Sequence, residues 1–517
     1  MKKRFNTTGL CFPQQHYMAD VSKKLEQVFA MVEIGEYFII NRPRQYGKTT
    51  TLYTLADMLR KSGDYIVLNS SFEGIGDVIF DTESNFSAGF VRILKKYASV
   101  GSPELYKWVK KQENKVADLE ELSDFITEFV NQTDRKVVLM IDEVDKSSNN
   151  QLFVSFLAVL RNKYLERGSF KTFHSVVLAG VHDVKSLKLK LRSEDERKYN
   201  SPWNIAADFT VDMNLQPSEI KPMLDEYVAD KGVKMNTLQI AETLFYYTSG
   251  YPFLVSKLCK MLDEDLITNG EWRAEDVEIA VKKLVTESNT NFDNLLKNLE
   301  NDAELHDLVY QTAIDNEGLS FNIHTPTTNL AFLHGIVVNK NGKIAIHNKI
   351  YSEVISNYMA NKMEIKQLTS GNDFGIGYKN NDGTLNMEAV LLGFQAFMKK
   401  EYSRKDRDFL EKNGRLVFLA FLKPIINGSG YDFKEPQVSE EKRLDLVITY
   451  LHQKFVAELK LWYGPKAHEK GLVQLADYLD IQALNEGYLL IFDHSEVKNW
   501  HSDWIDAHGK KIFAVWV

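Results

Sequence analysis

Tyr37-Phe-Ile-Ile-Asn-Arg-Pro-Arg-Gln-Tyr-Gly-Lys-Thr-Thr50 is the stretch on which the first half of this chain turns. The apolar run Tyr37 to Ile40 reads as a buried strand, and a tight loop then closes on Gly47-Lys48-Thr49. Thr50-Thr-Leu-Tyr-Thr-Leu-Ala-Asp-Met-Leu59 continues as a helix. Strand, loop, Gly-Lys-Thr and helix form the setting in which a nucleoside triphosphate is held by its phosphates. Backbone N–H groups at a helix start, aided by the helix dipole, face the anion. In that setting Lys48 reaches the β- and γ-phosphates and the Thr49 hydroxyl ligates Mg²⁺. Arg44, Gln45, Tyr46, Gly47 and Thr50 complete the expected cradle for ATP. Position 42, where a G-x4-G-K-[ST] loop carries its first glycine, is Arg42. The plainer alternative is a basic turn opening an ordinary helix.

A second motif decides between them. Arg135-Lys-Val-Val-Leu-Met-Ile-Asp-Glu143 holds five apolar residues, Val137 to Ile141, as a strand buried on both faces would. Asp142 and Glu143 emerge at its carboxyl end, where open α/β sheets bind ligands. Asp142 is expected to hold Mg²⁺ and Glu143 to polarise the attacking water. Two acids can simply end a solvated strand, but together with Gly47-Lys48-Thr49 they point to catalysis.

The bulk numbers set limits. A chain of 517 residues has room for several domains and well-buried cores. Its 44% hydrophobic and 26% charged content is that of ordinary soluble globular protein. Two cysteines, Cys11 and Cys259, exclude a disulfide scaffold and suit a reducing cytoplasm. No apolar run is long enough to span a bilayer, and no apolar signal core follows the basic start, so a cytoplasmic location without membrane contact is expected. A net charge of −8 gives no general attraction to nucleic acid, so any DNA contact needs a local patch.

Residues 1–215 alternate apolar runs with amphipathic stretches, the pattern of a parallel sheet. Tyr65-Ile-Val-Leu68, Val137–Ile141 and Ser175-Val-Val-Leu-Ala179 read as central strands beside Tyr37–Ile40. His182 follows the strand beyond Asp142-Glu143, and Arg192 and Arg197 lie in the charged segment after it. A polar loop and a solvated charged face explain these three as simply. From 216 the pattern is helical, with Pro217 at a helix start. Gly335-Ile-Val-Val338 and Lys343-Ile-Ala-Ile346 read as a hairpin closed by Asn339-Lys-Asn-Gly342. The Gly-, Asn- and Asp-rich segment Thr369–Gly383 reads as a linker.

On Arg42-Pro43-Arg44-Gln45-Tyr46-Gly47-Lys48-Thr49, Asp142-Glu143 and Gly250-Tyr251-Pro252, residues 1 to about 360 resemble bacterial AAA-like ATPases related to the STAND and archaeal-ATPase groups. Members of that family tolerate Arg in place of the first loop glycine. The resemblance implies a RecA-like core over 1–215, a helical lid over 216–299 and a winged-helix module over 300–365, with 366–383 as linker. It also implies His182 as a γ-phosphate sensor, Arg192 or Arg197 as an arginine finger, and homo-oligomers formed through the ATPase domain.

The remaining residues, 384–517, read as a separate α/β unit with its own chemistry. Leu444-Asp-Leu-Val-Ile-Thr-Tyr-Leu451 and Lys454-Phe-Val-Ala-Glu-Leu-Lys460 read as two strands joined near His452-Gln453. Pairing Leu451 with Lys454 sets Asp445 opposite Lys460, and Glu458 shares a face with Lys460. Two carboxylates can hold a divalent metal that activates water at a phosphodiester, and a lysine can stabilise the charge that develops. A surface ion pair is the plainer alternative and is worth little. Asp445 and Glu458-Leu459-Lys460 resemble the defining acids and lysine of the PD-(D/E)xK nuclease superfamily, and Gln474-Leu-Ala-Asp-Tyr478 resembles the Q-x-x-x-Y element of one branch. Gln474 and Tyr478 share a helix face. The resemblance implies a restriction-endonuclease-like fold, Mg²⁺ or Mn²⁺ on Asp445 and Glu458, DNA as substrate and a further glutamate from an early helix. Glu411 is preferred for that place because it opens the amphipathic Arg415–Leu422, with Glu401, Glu388 and Glu435 competing.

Two functions from different classes follow. One is an ATPase coupled to a DNA endonuclease, in defence or mobile-element biology. The other is a signalling or scaffolding ATPase whose C-terminal fold only binds a partner. Asp445, Glu458 and Lys460 together favour the first. The near balance of seven Lys or Arg against six Asp or Glu over 434–470 favours the second.

Overall fold

Four aliphatic runs build the first sheet: β1 (Tyr37–Asn41), β2 (Tyr65–Ser71), β3 (Lys136–Asp142) and β4 (Ser175–Gly180). Their order is β1-β4-β3-β2 and every pairing is parallel. This computed structural model describes residues 2–517 except 74, 113–114, 145–150, 182–202, 267–269, 315–318, 368–377, 402–416, 420, 423–424, 427–429, 434–445, 462–464 and 494–499. It forms two compact units, Met1–Leu284 with Asn329–Ile336, and Val285–Thr328 with Val337–Val517. The architecture is the mixed α/β one expected: a parallel-sheet core, and a separate C-terminal sheet domain.

Side chains alternate across a strand, so a sheet covered on both faces needs apolar residues at every position. Tyr37, Ile39, Leu139, Ile141 and Leu178 pack on one face against Phe90 of α3 (Glu83–Gly101), Phe129 of α5 (Leu119–Asn131) and Phe156 of α6 (Gln151–Leu165). Helix α4 (Pro103–Gln112) packs beside α3. Phe38, Ile40, Val138 and Val177 face the other way, onto Val28 of α1 (Ser22–Glu33) and Leu55 of α2 (Lys48–Ser62). A parallel bridge, Phe38 with Ala207, extends the sheet beyond β1. The helices α7 (Pro217–Lys231), α8 (Thr237–Thr248), α9 (Pro252–Met261) and α10 (Ala274–Thr286) follow, with proline in the first turn of both α7 and α9.

The second unit holds α11 (Thr290–Asn301), α12 (Ala303–Ile314) and the hairpin β5 (Val337–Lys340) and β6 (Lys343–Ile346). Helix α13 (Pro326–Leu333) precedes the hairpin, and α14 (Lys349–Gln367) follows it. The hairpin turn is tighter than the four residues expected. Asn341 and Gly342 both take positive φ, so Asn339 still pairs with Ile344.

The C-terminal sheet comprises β7 (Gly430–Phe433), β8 (Leu446–Tyr450), β9 (Gln453–Leu461), β10 (Glu486–Phe492), β11 (Ser502–Ala507) and β12 (Lys510–Trp516), in the order β11-β12-β10-β9-β8-β7. β10 lies parallel between β9 and β12, and the other pairings are antiparallel. Helix α15 (Met387–Glu401) covers one face through Val390 and Phe394, and α16 (Pro465–Ile481) covers the other through Leu475 and Leu479. Tyr378 packs on Phe421, and Leu385 N–H donates to Gln453 Oε1 at 2.7 Å. The chain therefore joins this domain by residue 378, ahead of the expected start at 384.

One expected register is corrected. Tyr450, not Leu451, closes the β8–β9 ladder, pairing with Gln453, and Leu446 pairs with Ala457. A two-residue turn, Leu451-His452, replaces the expected one, and Leu451 accepts a left-handed φ of 51° to make it. The ladder over described residues thus runs out of the register that set Asp445 opposite Lys460. No helix among the described residues is long and apolar enough to cross a membrane.

Candidate functional sites

At the carboxyl end of the first sheet, two motifs far apart in sequence meet. Thr49 Oγ1 donates to Asp142 Oδ2 at 2.6 Å. The two oxygens are hard donors of the kind Mg²⁺ prefers, so the residues present fit that ion. Asp142 Oδ1 also accepts from Glu143 N–H at 2.9 Å. Glu143 itself holds φ at 54°, a conformation that non-glycine residues adopt at a cost of about 1–3 kcal/mol and that clusters at functional sites. Gln45 at 58° and Gly47 at 79° give the loop between β1 and α2 its sharp curvature. Gly47 caps α2 with no side chain, so the first turn keeps its N–H groups for an outside acceptor.

Lys48 is buried, and its ammonium donates to the carbonyls of Arg42 and Pro43 at 2.9 Å each. Arg42, at the position of the missing first glycine, is accommodated without filling the loop. Its guanidinium turns away from the cradle, donating to Val211 O at 2.9 Å and lying 5.1 Å from the Phe209 ring centre. Burial there lowers its pKa from the usual arginine value. Thr50 Oγ1 accepts from Cys11 N–H at 3.2 Å, a contact between the amino-terminal segment and α2 that nothing in the sequence signals.

Tyr46 and Arg44 are held from the helical side of the unit. Tyr46 donates to Asn214 and meets Tyr251 edge to face, with ring centres 4.6 Å apart. Burial pushes the Tyr46 phenol well above its usual range. Tyr251 in turn donates to Arg44 O at 2.7 Å. The sequence singled out Gly250-Tyr251-Pro252 without assigning Tyr251 this role; the motif was the available signal. Gly250 makes the contact possible. Its φ is 75°, Leu215 N–H donates to its carbonyl at 2.8 Å, and an added Cβ would sit 2.2 Å from Leu215 O.

Gly250→Ala is therefore expected to destabilise the protein by about 2–3 kcal/mol, from left-handed strain plus overlap with backbone that cannot swing aside. Gly63→Ala serves as the control. Gly63 has φ of 84° but nothing near its Cβ position, so only the strain of about 1 kcal/mol should appear. Thermal melts of both variants measure the difference; equal losses would mean that the Leu215 contact relaxes freely.

The sequence-predicted γ-phosphate sensor His182 and arginine-finger candidates Arg192 and Arg197 lie outside the described residues.

In the C-terminal sheet, β9 turns Val456, Glu458 and Lys460 toward α16, while Ala457 and Leu459 face the opposite core. Glu458 has no exposed surface, and Lys460 Nζ lies 2.7 Å from its Oε1, with the lysine side chain 36% exposed. Lys460 also donates to Gln474 Oε1 at 3.3 Å. Tyr478, one turn on, is buried, and its hydroxyl has no hydrogen-bond partner among the described residues. Glu458, Lys460, Gln474 and Tyr478 are thus brought onto one face. Asp445, Glu411 and Glu435 lie outside the described residues. Among the described residues no three His, Cys, Asp or Glu side chains gather to hold a metal. Glu388 accepts from Trp504 Nε1 at 3.3 Å on α15, the helix covering the other face of the sheet. The plainer alternative, a surface ion pair of little energetic weight, does not describe Glu458, which is completely buried because α16 covers the strand.

No family model matches this sequence. An uncharacterized WD repeat-containing protein of Synechocystis sp. is 21% identical over 350 residues, covering 64% of this chain and 28% of that protein. The chain thus spans little more than a quarter of that relative's length. Among solved structures, a Walker-type ATPase of Pyrococcus abyssi is similar with a TM-score of 0.46 and 12% identity, over 68% of this chain and 99% of its own. The Aeropyrum pernix ORC2 protein, in complexes with ADPNP and ADP, is similar with a TM-score of 0.36 and 14% identity, over 67% of this chain and 96% of its own.

Proposed function

We propose that this protein binds and slowly hydrolyses ATP in its amino-terminal unit, and that nucleotide state governs a Mg²⁺-dependent DNA endonuclease in its C-terminal domain. The convergence of Thr49 and Asp142 at 2.6 Å, beside a loop whose lysine is already folded over it, carries the first half. Thr49 and Asp142 would hold Mg²⁺, which would supply charge neutralisation to the phosphates; Lys48 would bind the β- and γ-phosphates, and Glu143 would take the proton of the attacking water.

For the C-terminal domain, Lys460 and Gln474 on the Glu458 face, with the unsatisfied Tyr478 hydroxyl next to them, favour a phosphodiester site over a simple ion pair. Glu458 with Asp445 would supply oxygen ligands to Mg²⁺ or Mn²⁺, and Lys460 would meet the scissile phosphate. The second reading, a signalling or scaffolding ATPase whose C-terminal fold binds a protein partner, is favoured by the ion pair itself, which a structural role would explain. ATP titration and hydrolysis of the full chain, with Mg²⁺-dependent plasmid cleavage in the presence and absence of ATP, separates the two. ATP turnover without any cleavage selects the second reading; failure to bind ATP overturns both.

The same reading divides the chain into an ATPase core (1–215), a helical lid (216–299), a winged-helix module (300–365), a linker and the nuclease-like domain, in a cytoplasmic protein. Limited proteolysis tests it. The segment from Gly371 is rich in turn formers and poor in apolar residues. Tyr378 and Leu385 are anchored to the C-terminal domain. The first cut is therefore expected before Tyr378, releasing a stable C-terminal fragment. First cleavage within 216–360 would break this division.

A further inference from the structure

Ahead of α1, the chain forms a loop whose two ends are pinned to α7 and whose tip is pinned to α2. Arg4 and His16 bridge across it, with Arg4 N–H donating to Gln15 O at 3.1 Å and Tyr17 N–H to Arg4 O at 3.2 Å. Phe5 and Tyr17 are buried against Tyr227 of α7, their ring centres 5.0 and 5.3 Å from its own. Lys3 pairs with Glu226 and Tyr17 donates to Asp230, both carboxylates belonging to α7. At the tip, Cys11 N–H donates to Thr50 Oγ1 at 3.2 Å and Phe12 meets Tyr53 edge to face. Thr50 lies in the first turn of α2, beside Lys48 and Thr49. One loop thus joins that turn to α7.

A single side chain sets the shape of the tip. His16 is buried, and Phe12 N–H donates to its Nδ1 at 2.9 Å, while His16 N–H donates back to Phe12 O at 2.9 Å. An imidazole nitrogen accepts only when it carries no proton, so this bond requires a neutral ring. A proton on Nδ1 would set donor against donor in a place shut off from water. Arg4 is the charge that acts on the ring, and the α7 carboxylates that reach the loop, Glu226 and Asp230, are engaged by Lys3 and Tyr17. From α2 the loop is met by Thr50 and Tyr53, both uncharged at neutral pH. Burial, with Arg4 adding to it, holds the His16 pKa below its usual value. The neutral ring therefore stabilises the loop fully above about pH 6.5, and that stability is lost as pH falls from there toward the lowered value.

We propose that residues 4–17 are a clasp between α2 and α7, closed by neutral His16 and released when that ring takes a proton. Release frees Thr50 from Cys11 N–H and the first turn of α2 from its tie to α7, so nucleotide is held less tightly. His16 is a positioning residue in this scheme, acting through Cys11 and Thr50. The effect on nucleotide rests on the ATPase reading, whereas the clasp stands on the loop contacts alone.

Cys11 reports the state of the clasp. Its thiol is half-buried, with Asn6 Nδ2 3.4 Å from Sγ, and the second cysteine, Cys259, is fully buried. Labelling of the full chain by a pyridyl disulfide at about pH 7.5 and about pH 5.5, either side of the usual histidine value, follows its opening. His16→Asn is the comparison, because its Oδ1 can accept from Phe12 N–H and does not titrate; should it melt early, His16→Gln replaces it. Thiol and reagent respond to pH alike in parent and variant, so the ratio of their labelling rates isolates His16. That ratio should rise about fivefold or more on acidification, since one proton on a group of usual pKa about 6.5 permits about tenfold. The parent-to-variant ratio of ATP dissociation constants should rise with it, ATP's own protonation cancelling. A parent whose labelling keeps pace with the variant overturns the clasp. Labelling that responds while the ATP ratio stays flat overturns its tie to nucleotide. A parent that binds no ATP at the higher pH overturns the ATPase reading instead, and the labelling ratio then decides the clasp by itself.

Discussion

Lys48→Ala is expected to weaken ATP binding at least about a hundredfold. The Lys48 ammonium now donates to two loop carbonyls, Arg42 O and Pro43 O, from a buried position. When phosphates enter, those bonds are exchanged for charge-assisted ones worth about 1.5–3 kcal/mol each. Losing two of them removes about 3 kcal/mol or more, and each 1.4 kcal/mol is tenfold in affinity. The same substitution strips two carbonyls of their donor, so a modest fall in melting temperature should accompany it. Glu143→Gln separates binding from chemistry. The amide keeps the backbone turn at φ 54° and its N–H bond to Asp142, but it cannot accept a proton. Binding should match the parent while turnover falls about 10²- to 10⁴-fold, the range for losing a general base. Isothermal titration and a phosphate-release assay measure both. A Lys48→Ala protein that titrates like the parent would place the nucleotide elsewhere.

How much of this was visible in the sequence depends on how local the signal is. The parallel core was legible because Val137–Ile141 and Tyr37–Ile40 are apolar at every position, a pattern that only strands covered on both faces require. The meeting of Gly47-Lys48-Thr49 with Asp142-Glu143 was legible because each motif is written in consecutive residues. The supports of the loop were not. Asn214 holding Tyr46, Val211 receiving Arg42 and Cys11 donating to Thr50 are contacts across large sequence separations, made by residue types found in any surface segment. The β8–β9 register failed for a related reason. Alternation places Glu458 and Lys460 on one face whatever the pairing partner, so the pattern fixes the face and leaves the turn to choose the register. Leu451 gave no hint that it would take the left-handed position, which glycine or asparagine usually fills. Burial of Glu458 was equally hidden, because the strand alternates correctly whether or not α16 lies on top of it.

That burial changes what the C-terminal variants should do. Asp445→Ala should remove metal-dependent DNA cleavage and leave ATP hydrolysis intact, since the proposed sites occupy different domains. For Glu458, alanine is a poor probe: it would open a cavity beneath α16, and lost stability would mimic lost chemistry. Glu458→Gln keeps the volume and removes the charge. A carboxylate with no exposed surface is held against a desolvation penalty of several kcal/mol, and its counter-ion is the partly exposed Lys460, which can turn to solvent once the charge is gone. The two effects oppose each other, and Lys460 being free to leave means that no charge is stranded. Stability of Glu458→Gln should therefore stay within about 1 kcal/mol of the parent or rise above it, while cleavage disappears. Lys460→Ala should impair cleavage more than metal binding, because an ammonium ligates no cation. Plasmid nicking with Mg²⁺ or Mn²⁺, set beside melting curves, reads all three. If the parent cleaves neither duplex nor single strand and Glu458→Gln melts well below it, the Glu458–Lys460 pair is a structural strut under α16. The scaffolding ATPase would then be the better account of the protein.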